Sequence, residues 1–418
     1  MYRKDYELRI NSEAEPPDWA YLQSIQYYFD VIVPARNADF GNDVLPPFSR
    51  DDWIHETFIC AMICEQISRV GKARSKGSSS IAPTEDFQPR GLWASYYRYV
   101  LEHIKILNMC IRDEGRYGGR NRVFYCIARL MYFDMVADAS SCHAHINGFF
   151  TYVQRIGGAK AVLSLPVPPI QSFRAVLTVG AMANTTSPAS QQIPGPGQLT
   201  DDEIASIYDW TFLSNLPCPS ELFLCIIHLT RLRVRVFSGQ PAAHATALKV
   251  RIHNLFDKIC TLDFDIWVRE ASTASDNALD VAEAFRHATL LYGIVALPRR
   301  AVASWARHHH GTTDDDAVVY ARVRSAQQRA LLGVMRRMAP RVKCRCCITW
   351  PLVVAGVAAS DGRVPGVRAF VEESFLAMAD EPAEGGFALP SLQRLRVLWR
   401  SGRTGWDDAF PRPCIAVQ

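Results

Sequence analysis

The apolar residues of this chain recur at helical spacing along almost its whole length, and alternation with period two is almost absent. Residues 19–33 set the pattern: Tyr21, Leu22, Ile25, Tyr28, Phe29 and Ile32 share a face before Pro34 ends the run. A second helix is expected from Ser49, whose spacing to the acid Asp52 is that of a capping box. Trp53, Ile54, Phe58, Met62, Ile63, Ile67 and Val70 form its buried stripe, and Gly71 is a natural stop. A chain patterned this way folds as all-α, a large multi-helix domain with few or no strands.

A polar loop rich in Gly, Ser and Pro is read over 72–91. Helical pattern returns from Leu92 to about Arg112 and again from Asn121 to about Ala139. From Cys142 a helix runs to Arg155, then come a Gly157-Gly158 turn and a short helix to Leu165. Prolines 166, 168 and 169, and three more between Ser187 and Gly197, mark the longest irregular region, with helix surviving around Phe173–Ala183. Thr200 followed by Glu203 is a further capping box, with Ile204, Ile207, Tyr208 and Phe212 behind it. Helices are also expected over 221–236, 241–260, 278–297, 315–338, 350–359, 364–379 and 390–400. No repeat of fixed length is present. The organisation implied is a tail over 1–18, a helical domain over 19–410 with an internal break at 166–199, and a tail over 411–418.

The 418 residues suffice for one large core or two packed halves. With 49% hydrophobic and 21% charged residues, wholesale disorder is excluded. A formal charge of +4 on so long a chain gives no concentrated basic face for nucleic acid. Arginine far outnumbers lysine, which biased codon usage explains as well as any function does. Met1-Tyr-Arg-Lys has no apolar h-region behind it, so no secretory signal is read. The apolar stretch Ile348–Ala359 contains Trp350 and Pro351, is too short to span a bilayer, and reads as a buried helix. The twelve cysteines are then expected as reduced, small core residues of a soluble intracellular protein.

Each cluster able to carry chemistry has a plainer account. Cys142, His143 and His145 invite a metal, but i, i+2 spacing points the two histidines to different helix faces. Cys60 and Cys64 stand one turn apart on a core stripe. Cys344, Cys346 and Cys347 lie beside Arg341, Lys343 and Arg345, a setting that lowers thiol pKa values, yet they read as a loop. His308, His309 and His310 followed by Asp314, Asp315 and Asp316 read as a solvated interhelical loop with a capping acid cluster. Asp201, Asp202 and Glu203 resemble the acidic magnesium motif of helical terpene cyclases, but they stand where a helix cap is expected, and Asp263 and Asp265 supply no partner motif. Arg231, Arg233 and Arg235 could touch phosphate, but their ordinary account is cations near the carbonyls of their own helix end. No phosphate loop, nucleophile elbow or HExxH occurs. No residue is therefore assigned a catalytic, cofactor-binding or metal-ligating role, and no cofactor is implied.

Several segments, in order, resemble the fungal-specific transcription factor domain, the helical regulatory domain of fungal zinc-cluster transcription factors. They are the opening helix pair Tyr21–Val70; Cys142-His-Ala-His-Ile-Asn-Gly-Phe-Phe running on to Gly157-Gly-Ala; Pro219-Ser-Glu-Leu-Phe-Leu-Cys-Ile-Ile-His; and Ala284-Phe-Arg-His-Ala-Thr-Leu-Leu-Tyr-Gly. The C-terminal part is the most specific: Trp350-Pro-Leu-Val-Val-Ala-Gly, Arg363–Phe375, and Leu395-Arg-Val-Leu-Trp399 with Trp406 beyond. Trp350-Pro351 would open a helix, Gly356 would permit a close helix contact, and Trp399 and Trp406 would be apolar anchors.

The family's DNA reader is a six-cysteine zinc cluster with two CxxC pairs near the N-terminus. Here the first cysteine is Cys60, inside an expected helix, so the cluster has been lost or lies upstream of Met1. The resemblance implies a nuclear transcription regulator acting through the transcription machinery, a DNA-binding relative or a small apolar effector. Homodimerisation would be compatible with it. Direct DNA binding by this chain alone is not expected, nor is a membrane. The alternative is a transcription-factor-like helical protein recruited as an enzyme or accessory protein in secondary metabolism. It would need titratable residues such as His228, His287 or Asp134 to converge.

Overall fold

In the computed structural model, residues 90–114, 119–137, 142–208, 218–239, 245–271, 277–339, 348–379 and 388–413 are described. Among them 81% are helical, in seventeen α-helices with no strand. The first seven are α1 (Arg90–Arg112), α2 (Gly119–Ala137), α3 (His143–Ile156), α4 (Ala159–Leu163), α5 (Ile170–Thr185), α6 (Pro194–Gln198) and α7 (Asp201–Tyr208). Then follow α8 (Ser220–Phe237), α9 (Ala245–Thr261), α10 (Asp265–Ala271), α11 (Ala278–Ala296), α12 (Arg299–His310) and α13 (Asp316–Met338). The last four are α14 (Thr349–Ala358), α15 (Val367–Ala379), α16 (Ala388–Ser401) and α17 (Trp406–Ala409), with a 3-10 turn, η1 (Ala359–Asp361), after α14. The expected helices over 19–33 and 49–70 lie outside the described residues.

Local chemistry sets the boundaries where the sequence placed them. Gly157 and Gly158 have φ of 113° and 92°, conformations that side-chain-bearing residues avoid, so the chain turns there between α3 and α4. At α7 the Glu203 carboxylate accepts from the Thr200 amide (2.9 Å), and Thr200 Oγ1 accepts from the Glu203 amide (3.3 Å). Both arms of the capping box are made.

Two helices form the interior. Thirteen of the nineteen residues of α11 are buried, and it packs against α8, α9, α10, α12, α13, α14 and α17. All ten residues of α14 are buried. Its sequence, Thr-Trp-Pro-Leu-Val-Val-Ala-Gly-Val-Ala, is apolar on every side, as a helix surrounded by others must be. Pro351 falls in the first turn, where its missing N–H removes no intrahelical bond. Gly356 faces α16 so closely that a Cβ there would stand 2.4 Å from Leu395 Cδ1. The Trp399 indole donates to the Gly356 carbonyl (2.8 Å) across the same contact.

The last turn of α5 gathers distant parts of the chain. Trp350 Nε1 donates to Thr185 Oγ1 (3.1 Å), and Trp406 Nε1 to the Thr185 carbonyl (2.6 Å). The Arg233 guanidinium, almost wholly buried, donates to the carbonyls of Asn184 (3.0 Å), Thr185 (2.9 Å) and Ser187 (2.6 Å). Tyr292 lies edge-on to both indoles, and its hydroxyl shares a hydrogen bond with Thr230 (3.0 Å). Residues from α5, α8, α11, α14 and α17 thus close one polar knot inside an apolar core. The segment after it is tied locally, with Asn184 Oδ1 accepting from the Ile193 amide (2.6 Å) and Gln192 donating to the Asn184 and Pro188 carbonyls.

Candidate functional site

Two helices carry the same arrangement of side chains. On α8, His228, Arg231, Leu232 and Arg235 stand at i, i+3, i+4 and i+7; on α9, Arg251, Asn254, Leu255 and Lys258 do the same. That spacing keeps four residues on one helix face. Helices α8 and α9 pack side by side, so the two stripes line one open groove of about 480 Å³. Leu232 is buried and Leu255 half-buried, giving an apolar floor between basic rims, and among the described residues no carboxylate lines the groove.

The basic side chains fall into two groups. At one end Asp201, the first residue of α7, accepts from His228 Nε2 (2.9 Å) and pairs with Arg231 (3.5 Å). Arg231 also donates to the Leu199 and Pro196 carbonyls (3.0 and 3.3 Å). Burial pulls its pKa below the usual value while Asp201 pushes back. Arg235, Arg251 and Lys258 are exposed and have no ion-pair partner among the described residues. A smaller cavity of about 290 Å³ lies on the other side of Arg231 and Arg235, walled by Ala181, Asn184, Ile193, Pro196, Ile227 and Val234.

The residues singled out in the sequence go elsewhere. Cys142 is buried ahead of α3, and burial depresses the His143 pKa. His145 pairs instead with Asp134 of α2 (2.9 Å). His287 sits against Glu283 (3.9 Å) and against Gln327 of α13, whose side-chain nitrogen is 2.6 Å from His287 Nδ1. His228, His287 and Asp134 therefore each have their own partner and form no shared constellation. Among the described residues no group of three His, Cys, Asp or Glu side chains is placed to hold a metal. Cys60, Cys64, Cys344, Cys346 and Cys347 lie outside the described residues, and Cys344 and Cys347 stand at a single CxxC spacing. No described helix is long and apolar enough to cross a membrane.

Two readings require correction. His308–His310 belong to the last turn of α12 rather than to a loop, with His309 stacked on Trp305 (5.5 Å) and Gly311 ending the helix at φ 61°. The acids after them cap as expected: Asp315 accepts from the Ala317 amide (2.9 Å), while Asp314 and Asp316 pair with Arg322 and Arg307. Arg231, Arg233 and Arg235 do not simply serve their own helix end. Arg233 closes α5, Arg231 closes α6, and Arg235 faces the groove. The groove itself escaped the sequence reading. Its signal was the matched basic-x-x-polar-Leu-x-x-basic spacing on two neighbouring helices.

Residues 85–410 match the family described as the fungal specific transcription factor domain. No curated protein and no solved structure matches the chain. The matched span takes in every described helix, the buried Trp350-Pro351 opening of α14, and the Trp399 and Trp406 anchors. The chain belongs to the fungal-specific transcription factor domain family.

Proposed function

We propose that this protein is a nuclear regulator of fungal transcription whose helical domain works by contact with a partner or an effector, and not by reading DNA. Family membership supports the regulatory role. The observation that favours an effector is the groove between α8 and α9, whose volume falls in the range of small-molecule sites. Its partners would be the transcription machinery or a DNA-binding relative. In the groove, the cations without an ion-pair partner among the described residues are three side chains around a hollow, not the extended basic face that a duplex requires.

The test joins the full chain to an unrelated DNA-binding domain and reads a reporter gene carrying that domain's site, with a fluorescent fusion for localisation. The expected result is a nuclear protein that raises or lowers reporter output when tethered. Gel-shift selection with the purified 418-residue chain should return no preferred sequence. Tight, sequence-specific DNA binding by that chain would overturn the proposal.

A further inference from the structure

The sequence is close to electrically balanced, with 46 basic and 42 acidic residues. A stretch of surface with several cations and no carboxylate is therefore a local feature. The groove between α8 and α9 is such a place. Arg235, Arg251 and Lys258 converge on it from two helices and hold like charges around one hollow, while Asp201 occupies only His228 and Arg231. Like charges held close repel, and an anion between them relieves the repulsion. Arginine forks suit carboxylate, sulfonate or phosphate oxygens. The floor of Leu232 and Leu255 asks for an apolar body.

We propose that this groove binds a small amphipathic organic anion: an apolar ring or chain on Leu232 and Leu255, with acidic groups held by Arg235 and Arg251 and assisted by Lys258. The proposal rests on the effector reading above and names the chemistry of the effector. It replaces the purely apolar ligand that the resemblance suggested, because the rims carry charge. A small molecule is favoured over an acidic protein segment by the volume of about 480 Å³, which matches a drug-sized ligand. The Asn254 amide, exposed between Arg251 and Leu255, adds a neutral donor for a hydroxyl or carbonyl on such a ligand.

The experiment uses the purified full chain and anilinonaphthalene sulfonate, a fluorescent anion with an apolar body. Naphthalene disulfonate serves as a dianionic competitor and phenylnaphthylamine as the uncharged analogue. The expected result is one saturable site, displaced by the disulfonate and weak for the neutral analogue. Arg235→Glu with Arg251→Glu should weaken it by about tenfold or more. Arg300→Glu with Arg329→Glu makes the same charge change at exposed positions outside the groove and should leave it unchanged. Circular dichroism and the thermal midpoint show that both variants fold. Equal weakening in the two variants overturns the proposal, because general electrostatics then explains the binding. Displacement by a short glutamate-rich peptide but not by the disulfonate overturns it in favour of a protein partner. Neither readout involves transcription, so a chain silent on the reporter can still bind the anion, and an active one can fail to.

Discussion

Arg233 is a cation buried in an apolar core with no carboxylate to meet it among the described residues; three backbone carbonyls at the end of α5 serve instead. Those carbonyls lack intrahelical donors and lie at the negative end of the helix dipole. The guanidinium satisfies them with a planar fork that an ammonium cannot reproduce. Arg233→Met should therefore cost about 2–4 kcal/mol in urea denaturation, through the loss of three charge-assisted hydrogen bonds to carbonyls that keep only the neutral donors Trp406 and Gln192. Arg233→Lys keeps the charge and should still lose about 1–2 kcal/mol. A midpoint unchanged in both variants would show that the carbonyls find water. His103 gives the second case. Its Nε2 donates to the Cys126 carbonyl (3.1 Å), and burial, with Arg129 and Arg122 adding to it, lowers its pKa to about 4. The unfolded chain takes up this proton near pH 6.5 and the folded chain only near 4, so stability falls as pH drops through that window. Between pH 7 and pH 5 the loss from this residue should be about 2 kcal/mol. His103→Phe should reduce the pH dependence of the unfolding free energy by that amount. An identical pH slope in the variant would exclude His103 as its source.

At the scale of elements, arginine closes helix ends belonging to other helices. Arg233 of α8 closes α5, Arg231 of α8 closes α6, Arg286 of α11 reaches Leu262 beyond α9, and Arg324 and Arg368 meet the carbonyls of Ala358, Ala359 and Ser360 after α14. The excess of arginine over lysine thus has a structural use, because one fork can serve several carbonyls. None of it was legible in the sequence, since the partners of Arg233 lie nearly fifty residues away. What was legible is local: the glycine turn after α3, the Thr200 box, the apolar α14. Helix α12 was missed because alanines carry half of its buried stripe and three histidines fill its last turn, although Pro298 and Gly311 bracket it. The groove was illegible because each helix holds only half of it. Glycine gives opposite signs in two helices. Gly148 lies exposed inside α3 with nothing near its missing Cβ, so Gly148→Ala should stabilise by about 0.5–1 kcal/mol. Gly356→Ala would drive a methyl into Leu395 and should destabilise by about 1–3 kcal/mol. Thermal midpoints moving in the same direction would refute the close α14–α16 contact.

At the scale of the whole molecule, the knot at the end of α5 decides whether the chain behaves as one unit. Thr185 receives Trp350 and Trp406, residues 165 and 221 positions away, and Ala189 donates to Asp407 of α17. Helix α8 belongs to both parts of the molecule: Arg233 enters the knot, while Arg231 and Arg235 border the groove. The groove wall is thus built on the same helix that fixes the end of α5. Trp406 is the test of this unity, being a fully buried indole on a four-residue helix near the end of the matched span. Trp406→Ala removes the edge-on contact with Tyr292 and the donor to Thr185, and should cost about 3–5 kcal/mol. If the helices share one core, the variant unfolds in a single transition at lower denaturant, and hydrogen exchange quickens together in α5, α11 and α14. Loss of protection confined to α16 and α17, with α5 and α11 unchanged, would mean that the C-terminal helices are an appendage. Arg233 would then hold the end of α5 without them.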